Sequence, residues 1–137
     1  MPTSASCESH ASMLFDSDVL VWHFRGNAAA DSLIDGERER AISVVSYMEL
    51  LRGAHDKQEM RGVRGFLADL GFEVLPLTED IGHRALFYVE TYGLKANLGI
   101  ADALIAATAA EHNLTLCTGN RKHFAPISDL RLKVLRA

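Results

Sequence analysis

Short apolar runs alternate with longer amphipathic segments along most of the chain. The short runs are rich in β-branched or other large apolar residues, which favours strands. Strands are predicted at 13–16, 41–45, 73–77, 114–117 and 133–135. Apolar positions at helical spacing predict helices at 19–25, 27–34, 46–51, 56–70, 79–92 and 99–112. Pro76 cannot donate a ladder hydrogen bond, so we expect the third strand at a sheet edge.

Strands that alternate with helices predict an α/β fold, a three-layer α/β/α sandwich around a central, mainly parallel sheet. The segment 99–112 is apolar on nearly all sides, which indicates a buried helix. Sites in such sheets form beyond the carboxyl ends of the strands. That rule directs attention to Asp16, to 46–49 and to 118–120.

Length and composition indicate one globular domain. The chain has 137 residues, of which 48% are hydrophobic and 23% charged. Its first dozen residues, MPTSASCESHAS, are small and polar and lack the apolar core of a secretory signal. We expect a flexible leader or tag over 1–12, Met13 as a natural start, and a single domain over 13–137.

Charge and cysteine content narrow the function classes. The net charge of −4 argues against a protein that coats nucleic acid by bulk charge, although it permits a local RNA site. No apolar run approaches the ~20 residues of a membrane span, so we expect no membrane association. Cys7 and Cys117 form no disulfide framework. A cytoplasmic location follows as the expectation.

A carboxylate ends the first predicted strand. Asp16 follows the apolar run Met13–Phe15, and Asp18 lies two residues further on. Capping of the next helix explains Ser17 or Asp18 without any function. An acid at the end of a buried strand needs a partner or a metal ion, so Asp16 is the stronger candidate for chemistry.

Glu49 has two interpretations. Ser46 and Glu49 have the spacing of a capping box, in which the Glu49 side chain would accept the backbone N–H of Ser46. Glu49 also lies in the first turn after a predicted strand, which would place it at the same sheet edge as Asp16.

Asp102 lies in the apolar segment GIADALIAATAA, on a stripe with Ile105, Ala106 and Ala109. An ionised carboxylate on that stripe would be costly without a cation or hydrogen-bond donors. The alternative is a partly exposed acid in the first helical turn, where the helix dipole favours it.

Thr118, Gly119 and Asn120 follow the fourth predicted strand, where turn formation alone would explain them. Together these segments supply four acids, three of them at expected strand-end or helix-start positions: Asp16, Asp18, Glu49 and Asp102. Carboxylate oxygens are the ligands that Mg²⁺ or Mn²⁺ prefers. The six histidines form no HxH or HxxxH pair typical of zinc, and no GxxxxGK[ST], GxGxxG or GxSxG motif occurs.

Four segments in this order carry a family resemblance: MLFDSDVLVWHFRG, SVVSYMELLRGA, GIADALIAATAAEHNL and TLCTGNRKHF. They resemble the PIN-domain family, most closely its VapC-type toxin branch. Members open with a strand that ends in Asp, followed by a small hydroxyl residue and Asn or Asp. They later carry Glu-Leu, a D-x-L-I-A-A-T-A helix and a T-x-N-x-x-[HD]-F loop.

The resemblance implies roles for six residues. Asp16, Glu49 and Asp102 match the catalytic, metal-binding acids of the family, and Asn120 matches a fourth site position that is Asp in many members. Thr118 matches a pocket-lining hydroxyl residue, while Asp18 stands where many members have Asn. The acid count therefore stays at four, which leaves open how many acids contact the metal.

The implied activity is Mg²⁺-dependent endonucleolytic hydrolysis of RNA, in which the cation activates a water that attacks phosphorus. The implied partner is a small antitoxin whose C-terminal tail blocks the site, and members often form homodimers. The apolar residues Leu20, Val21, Trp22 and Phe24 fit core packing, dimerisation or an antitoxin groove.

Four cations are candidates for phosphate contacts: Arg25, Arg52, Arg121 and Lys122. The simpler explanations are favoured here: charge near a helix C-terminus for the first two and solvated loop charge for the others.

Three alternatives stay open. Phe15–Asp18 also has the hDxD pattern of haloacid-dehalogenase-type phosphatases, but LTLCTGN lacks the paired acids that such enzymes carry downstream. A receiver-like signalling domain would need a lysine at a strand end. A degenerate PIN module that binds RNA or a protein without cutting is compatible with Asn120.

Overall fold

A five-stranded, all-parallel sheet forms the centre of the molecule. The structure is a computed structural model and describes residues 12–136. The strands lie in the order β3-β2-β1-β4-β5. Their bounds are Met13–Phe15 for β1, Arg40–Ser43 for β2, Glu73–Leu75 for β3, Thr115–Thr118 for β4 and Leu132–Val134 for β5. The predicted edge position of β3 is confirmed.

Seven helices connect or follow these strands within the described residues. Their bounds are Ser17–Phe24 for α1, Ala28–Gly36 for α2, Val44–Arg52 for α3, Lys57–Asp69 for α4, Glu79–Tyr92 for α5, Ile100–Glu111 for α6 and Arg121–Phe124 for α7. None of the helices in this part of the chain has the length and apolar character to cross a membrane.

The two faces of the sheet bury separate apolar clusters, since successive side chains of a strand point to opposite faces. Leu14 and Leu116 pack with α5 and α6 on one face. The residues that follow these two leucines in sequence, Phe15 and Cys117, pack with α1, α2 and α4 on the opposite face of the sheet. The predicted three-layer α/β/α sandwich is therefore confirmed, and the sheet is parallel throughout.

The buried helix predicted at 99–112 is α6. Ala103 and the residues Ile105–Ala109 are all fully buried. Small alanines let α6 pack closely against α5 and the sheet, which explains why one helix is apolar on nearly every side.

Most predicted boundaries differ from the observed ones by one or two residues, and one helix was not predicted. The second strand ends at Ser43 instead of residue 45, and α3 begins at Val44 instead of Ser46. The short helix α7 was expected to be a loop. Gly119 and Asn120 separate it from β4, and it is anchored by the fully buried Phe124.

The predicted leader over 1–12 lies almost wholly outside the described residues. Its last residue, Ser12, belongs to the described part, where its backbone carbonyl accepts the N–H of Thr115 at 3.1 Å. The Ser12 hydroxyl also donates to Glu37.

Candidate functional site

The carboxyl ends of β1 and β4 bring two of the predicted site residues together. Asp16 directly follows β1, and Thr118 is the last residue of β4. The Thr118 hydroxyl donates to Asp16 Oδ2 at 2.8 Å, while Asp16 Oδ1 accepts the backbone N–H of Ser17 at 2.8 Å. Asp16 is only 6% exposed, so its carboxylate is almost entirely shielded from solvent.

Asp18 is tied to the loop that follows β4. Its Oδ2 atom accepts the backbone N–H of Gly119 at 3.0 Å, whereas its Oδ1 atom is buried without a hydrogen-bond partner. Gly119 is needed here for space, because a Cβ atom would lie 2.7 Å from Cζ3 of Trp22. Because the Trp22 ring packs closely against this loop, it fixes the position of the Gly119 N–H group that donates to Asp18.

Glu49 does not form the capping box that its spacing with Ser46 suggested. The N-cap of α3 is Ser43, whose hydroxyl accepts the N–H of Val45 at 3.1 Å. Glu49 lies in the second turn of that helix and is exposed. Its Oε1 atom accepts the Ser17 hydroxyl at 3.1 Å, which links it to the residue between Asp16 and Asp18.

Asp102 lies in the first turn of α6, and its side chain is 24% exposed. The position agrees with the simpler interpretation of a partly exposed acid near a helix N-terminus. It nonetheless reaches the site, because its Oδ2 atom lies 2.7 Å from Nδ1 of His123. Asn120 joins them, with its amide 2.8 Å from the same His123 nitrogen and its backbone N–H donated to the Thr118 hydroxyl.

The charges of four acids at the site interact, as the pKa values of three of them indicate. We refer to Asp16, Asp18, Glu49 and Asp102 as the acid cluster. Burial is the main reason that the pKa of Asp16 is raised to about 7, and the charge of Asp18 is the next largest contribution to that increase. Burial is also the main reason that the pKa values of Asp18 and Glu49 are raised. The charge of Asp102 contributes to the increase in all three pKa values, so the acids converge on one region.

The chemistry of the acid cluster suits a hard divalent cation. Its donors are carboxylate oxygens, one of which is the buried and unpartnered Oδ1 atom of Asp18. Within residues 12–136, no three His, Cys, Asp or Glu side chains already stand in an arrangement that could hold a metal ion. Mg²⁺ commonly binds through one or two carboxylates and several waters, so a set of three direct ligands is not required.

The four predicted phosphate-binding cations are all exposed. Arg25 is the C-cap of α1, and Arg52 lies in the last turn of α3. Both positions agree with the simpler explanation, in which a positive charge interacts favourably with a helix C-terminus. Arg121 and Lys122 begin α7, directly after Asn120, so they flank the site.

An apolar groove opens beside the acid cluster between α1, α3 and α4. Its volume is about 470 Å³. Its walls are formed by Ser17, Val21, Phe24, Glu49, Leu50, Gly53, Ala54, Glu59, Gly62 and Val63. Ser17 and Glu49 belong both to this groove and to the site, so an occupant of the groove would lie against the acids.

Sequence reasoning missed two residues of the site. His123 was dismissed because its spacing to other histidines is not that of a zinc site, yet its partner is an acid 21 residues away. Ser17 was considered only as a helix cap, although its hydroxyl reaches Glu49 on another helix. The available signal for His123 was its place in the T-x-N-x-x-[HD]-F pattern.

Comparisons with known proteins give a consistent match over the domain. The family model described as the PIN domain matches residues 13–129. Ribonuclease VapC10 of Mycobacterium tuberculosis is 42% identical over 123 residues, which cover 87% of this chain and 90% of that protein. Ribonuclease VapC1 of Methanocaldococcus jannaschii is 30% identical over 132 residues, covering 93% and 89%.

Solved structures share the fold. A toxin–antitoxin complex from Klebsiella pneumoniae aligns with a TM-score of 0.75 and 32% identity, over 87% of this chain and 95% of that one. The DNA-bound VapBC of Salmonella typhimurium aligns with a TM-score of 0.78 and 20% identity, over 90% and 97%. The second likeness concerns the fold alone.

Proposed function

This chain belongs to the PIN-domain family, and from that premise we propose that it is a metal-dependent endoribonuclease, the toxin of a toxin–antitoxin pair. The observation that carries the proposal is the convergence of four acids beyond β1 and β4, where the charge of Asp102 influences the other three. Such a concentration of carboxylates is costly without a cation, which points to a binding site rather than a structural one.

We assign Mg²⁺ as the cofactor, with Mn²⁺ as a substitute, and Asp16, Glu49 and Asp102 as the residues that hold it directly or through water. When bound, the cation would neutralise the acids and stabilise the charge that develops on the scissile phosphate. Asp18, whose Oδ1 atom is buried and unpartnered, supports the same site.

The remaining chemistry belongs to the protein. In hydrolysis a water oxygen bonds to phosphorus and the water loses a proton, while the bond from phosphorus to the leaving oxygen breaks and that oxygen takes up a proton from solvent. Glu49 is the exposed acid of the cluster, and its raised pKa favours proton uptake, so we assign it to orient and deprotonate that water. Thr118 orients Asp16 through its hydroxyl.

RNA is the proposed substrate, in accordance with the ribonuclease names of the relatives. Arg121 and Lys122 flank the site and are proposed to contact phosphates. The acid cluster repels a polyanion, so RNA binding and cation binding should be coupled.

A cognate antitoxin is the proposed protein partner, because the similar chain from Klebsiella pneumoniae comes from a toxin–antitoxin complex. The apolar groove between α1, α3 and α4 is its proposed docking place. A segment in that groove would cover Ser17 and Glu49 and so block the site. A homodimer, a cytoplasmic location and a single functional domain over 13–137 complete the proposal.

Cleavage of labelled structured RNAs tests the proposed activity. The purified full chain would be assayed with Mg²⁺, with Mn²⁺ and with EDTA, beside the Asp16→Asn variant and a Glu90→Gln control at an exposed site on α5. We expect cutting by the wild type and the control with either metal, and none with EDTA or with Asp16→Asn. Full activity of Asp16→Asn would refute the assignment of Asp16.

The alternative is a PIN module that binds RNA or a protein without cutting, which Asn120 in place of an acid favours. It predicts no cleavage in any arm of that assay. The phosphatase alternative rests on Phe15–Asp18, a segment that lies within the PIN match.

A further inference from the structure

We infer that His123 is a positioning residue that holds Asp102 in place through a hydrogen bond from Nδ1, with Asn120 as its supporting partner instead of a metal ligand. The inference rests on the proposed function, because Asp102 is assigned there to the cation. Neither the sequence motifs nor the proposed mechanism gives His123 a role.

The first step is the contact itself. Nδ1 of His123 lies 2.7 Å from Oδ2 of Asp102, and the two side chains are 37% and 24% exposed. They come from different elements, since Asp102 lies on α6 and His123 on α7. The next residue, Phe124, is fully buried in the cluster that also contains the α6 alanines. That anchor fixes His123 against α6.

The second step concerns which atom donates. An ionised carboxylate only accepts hydrogen bonds, so Nδ1 must carry the proton in the contact with Asp102. The Asn120 amide lies 2.8 Å from that same nitrogen. A protonated Nδ1 cannot accept from an amide NH₂ group, so the Asn120 amide must present its oxygen to His123. The oxygen and nitrogen of an amide are interchangeable by a flip of the side chain, which makes this assignment consistent with the geometry.

The third step explains why Asn stands at 120. An Asp at this position would add a carboxylate beside Asp102, in a region where the charge of Asp102 already contributes to the raised pKa values of Asp16 and Glu49. Asn keeps an accepting oxygen for His123 without the charge. His123 and Asn120 together then orient one metal-binding acid, as partners of metal ligands commonly do.

Two substitutions of His123 separate this role from a merely structural one. In His123→Asn the side-chain nitrogen can occupy nearly the place of Nδ1, whereas His123→Leu keeps the bulk and removes the donor. Mn²⁺ affinity of the full chain would be measured by calorimetry, with His83→Leu on the exposed surface of α5 as a control. Circular dichroism in EDTA checks that each variant is folded.

We expect His123→Leu to weaken Mn²⁺ binding about 10-fold or more, and His123→Asn to restore it to within a few-fold of the wild type. Unchanged affinity in His123→Leu would overturn the inference. Equal losses in both variants would overturn it too, because the donor would then not be what matters.

A second measurement does not depend on the metal. Long-range ¹H–¹⁵N spectra of the metal-free protein report which ring nitrogen of His123 is protonated, and we expect a proton on Nδ1. A proton on Nε2 alone would overturn the inference. Wild-type protein that shows the Nδ1 proton but binds no Mn²⁺ would count against the proposed function, while the contact between His123 and Asp102 would stand.

Discussion

Asp16 is held by two hydrogen bonds and yet is unfavourably placed as an anion in the metal-free protein. The hydroxyl of Thr118 and the N–H of Ser17 stabilise its charge, but burial and the neighbouring acids outweigh them and raise its pKa to about 7. This destabilisation fits the proposed cation site, because residues selected for function can lower the stability of the fold.

The Asp16 carboxylate should make the metal-free protein less stable as the pH rises. Between its ordinary pKa of 3.8 and its folded-state pKa of about 7, the folded chain keeps a proton that the unfolded chain has released. The free energy of unfolding in EDTA should therefore fall from about pH 4 to about pH 7, by up to ~4 kcal/mol. Asp16→Asn should lose much of that slope in denaturant titrations. An identical slope in the variant would contradict the burial argument.

A substitution at Gly119 tests how closely Trp22 packs against the loop after β4. Gly119→Ala forces a Cβ atom to within 2.7 Å of the Trp22 ring, so we expect a loss of about 1–3 kcal/mol in unfolding free energy. Gly82→Ala is the matched control, because Gly82 lies in a helix, α5, and its added Cβ atom would meet nothing within 4 Å. That control should be neutral or stabilising. Equal effects in the two variants would show that the Trp22 contact is not tight.

The start of α3 shows how far local patterns determine an element. Two serines lie within reach of the helix start, and both Ser43 and Ser46 satisfy a capping rule. The choice of Ser43 depends on where β2 stops pairing with β3, which the local sequence does not encode. The same limit applies to α7, because its anchor Phe124 is recognisable only once it packs beside α6.

Alanine substitutions at Ser43 and Ser46 should differ in their effect on the free energy of unfolding. Ser43→Ala removes the hydroxyl that caps Val45 N–H and should cost about 1 kcal/mol. Ser46→Ala removes a buried hydroxyl without a hydrogen-bond partner and should be neutral or stabilising. Chemical denaturation of both variants measures the difference. A capping role for Ser46 would produce the reverse order.

The acids of the site were predictable from the sequence because the parallel sheet brings its strand ends to one edge, so that position along the chain indicates place in the fold. Asp16, Glu49 and Thr118 were proposed in that way, whereas Asp102 was proposed because an ionised carboxylate on an apolar helical stripe is costly. The partners that orient them were not, because Ser17 and His123 act through contacts between elements 32 and 21 residues apart in sequence.

The buried thiol of Cys117 reports on the cooperativity of the whole sheet. It lies in β4, is fully buried, and its pKa is raised to about 12 mainly by burial. In a Cys7→Ser background we expect Cys117 to react with thiol reagents only when the domain unfolds. Saturating Mn²⁺ should slow that labelling further, because a ligand of the folded state stabilises it. Rapid labelling of the native protein would contradict the packing described for this strand.

The central claim is that the acid cluster binds a divalent cation and that this cation enables RNA cleavage. The most direct test titrates Mn²⁺ into one sample of the full chain and records both metal binding and the rate of RNA cleavage. We expect both to rise with the same half-saturation and both to be lost in Asp102→Asn. Cleavage that persists in EDTA, or Mn²⁺ binding that saturates with no change in cleavage, would contradict it.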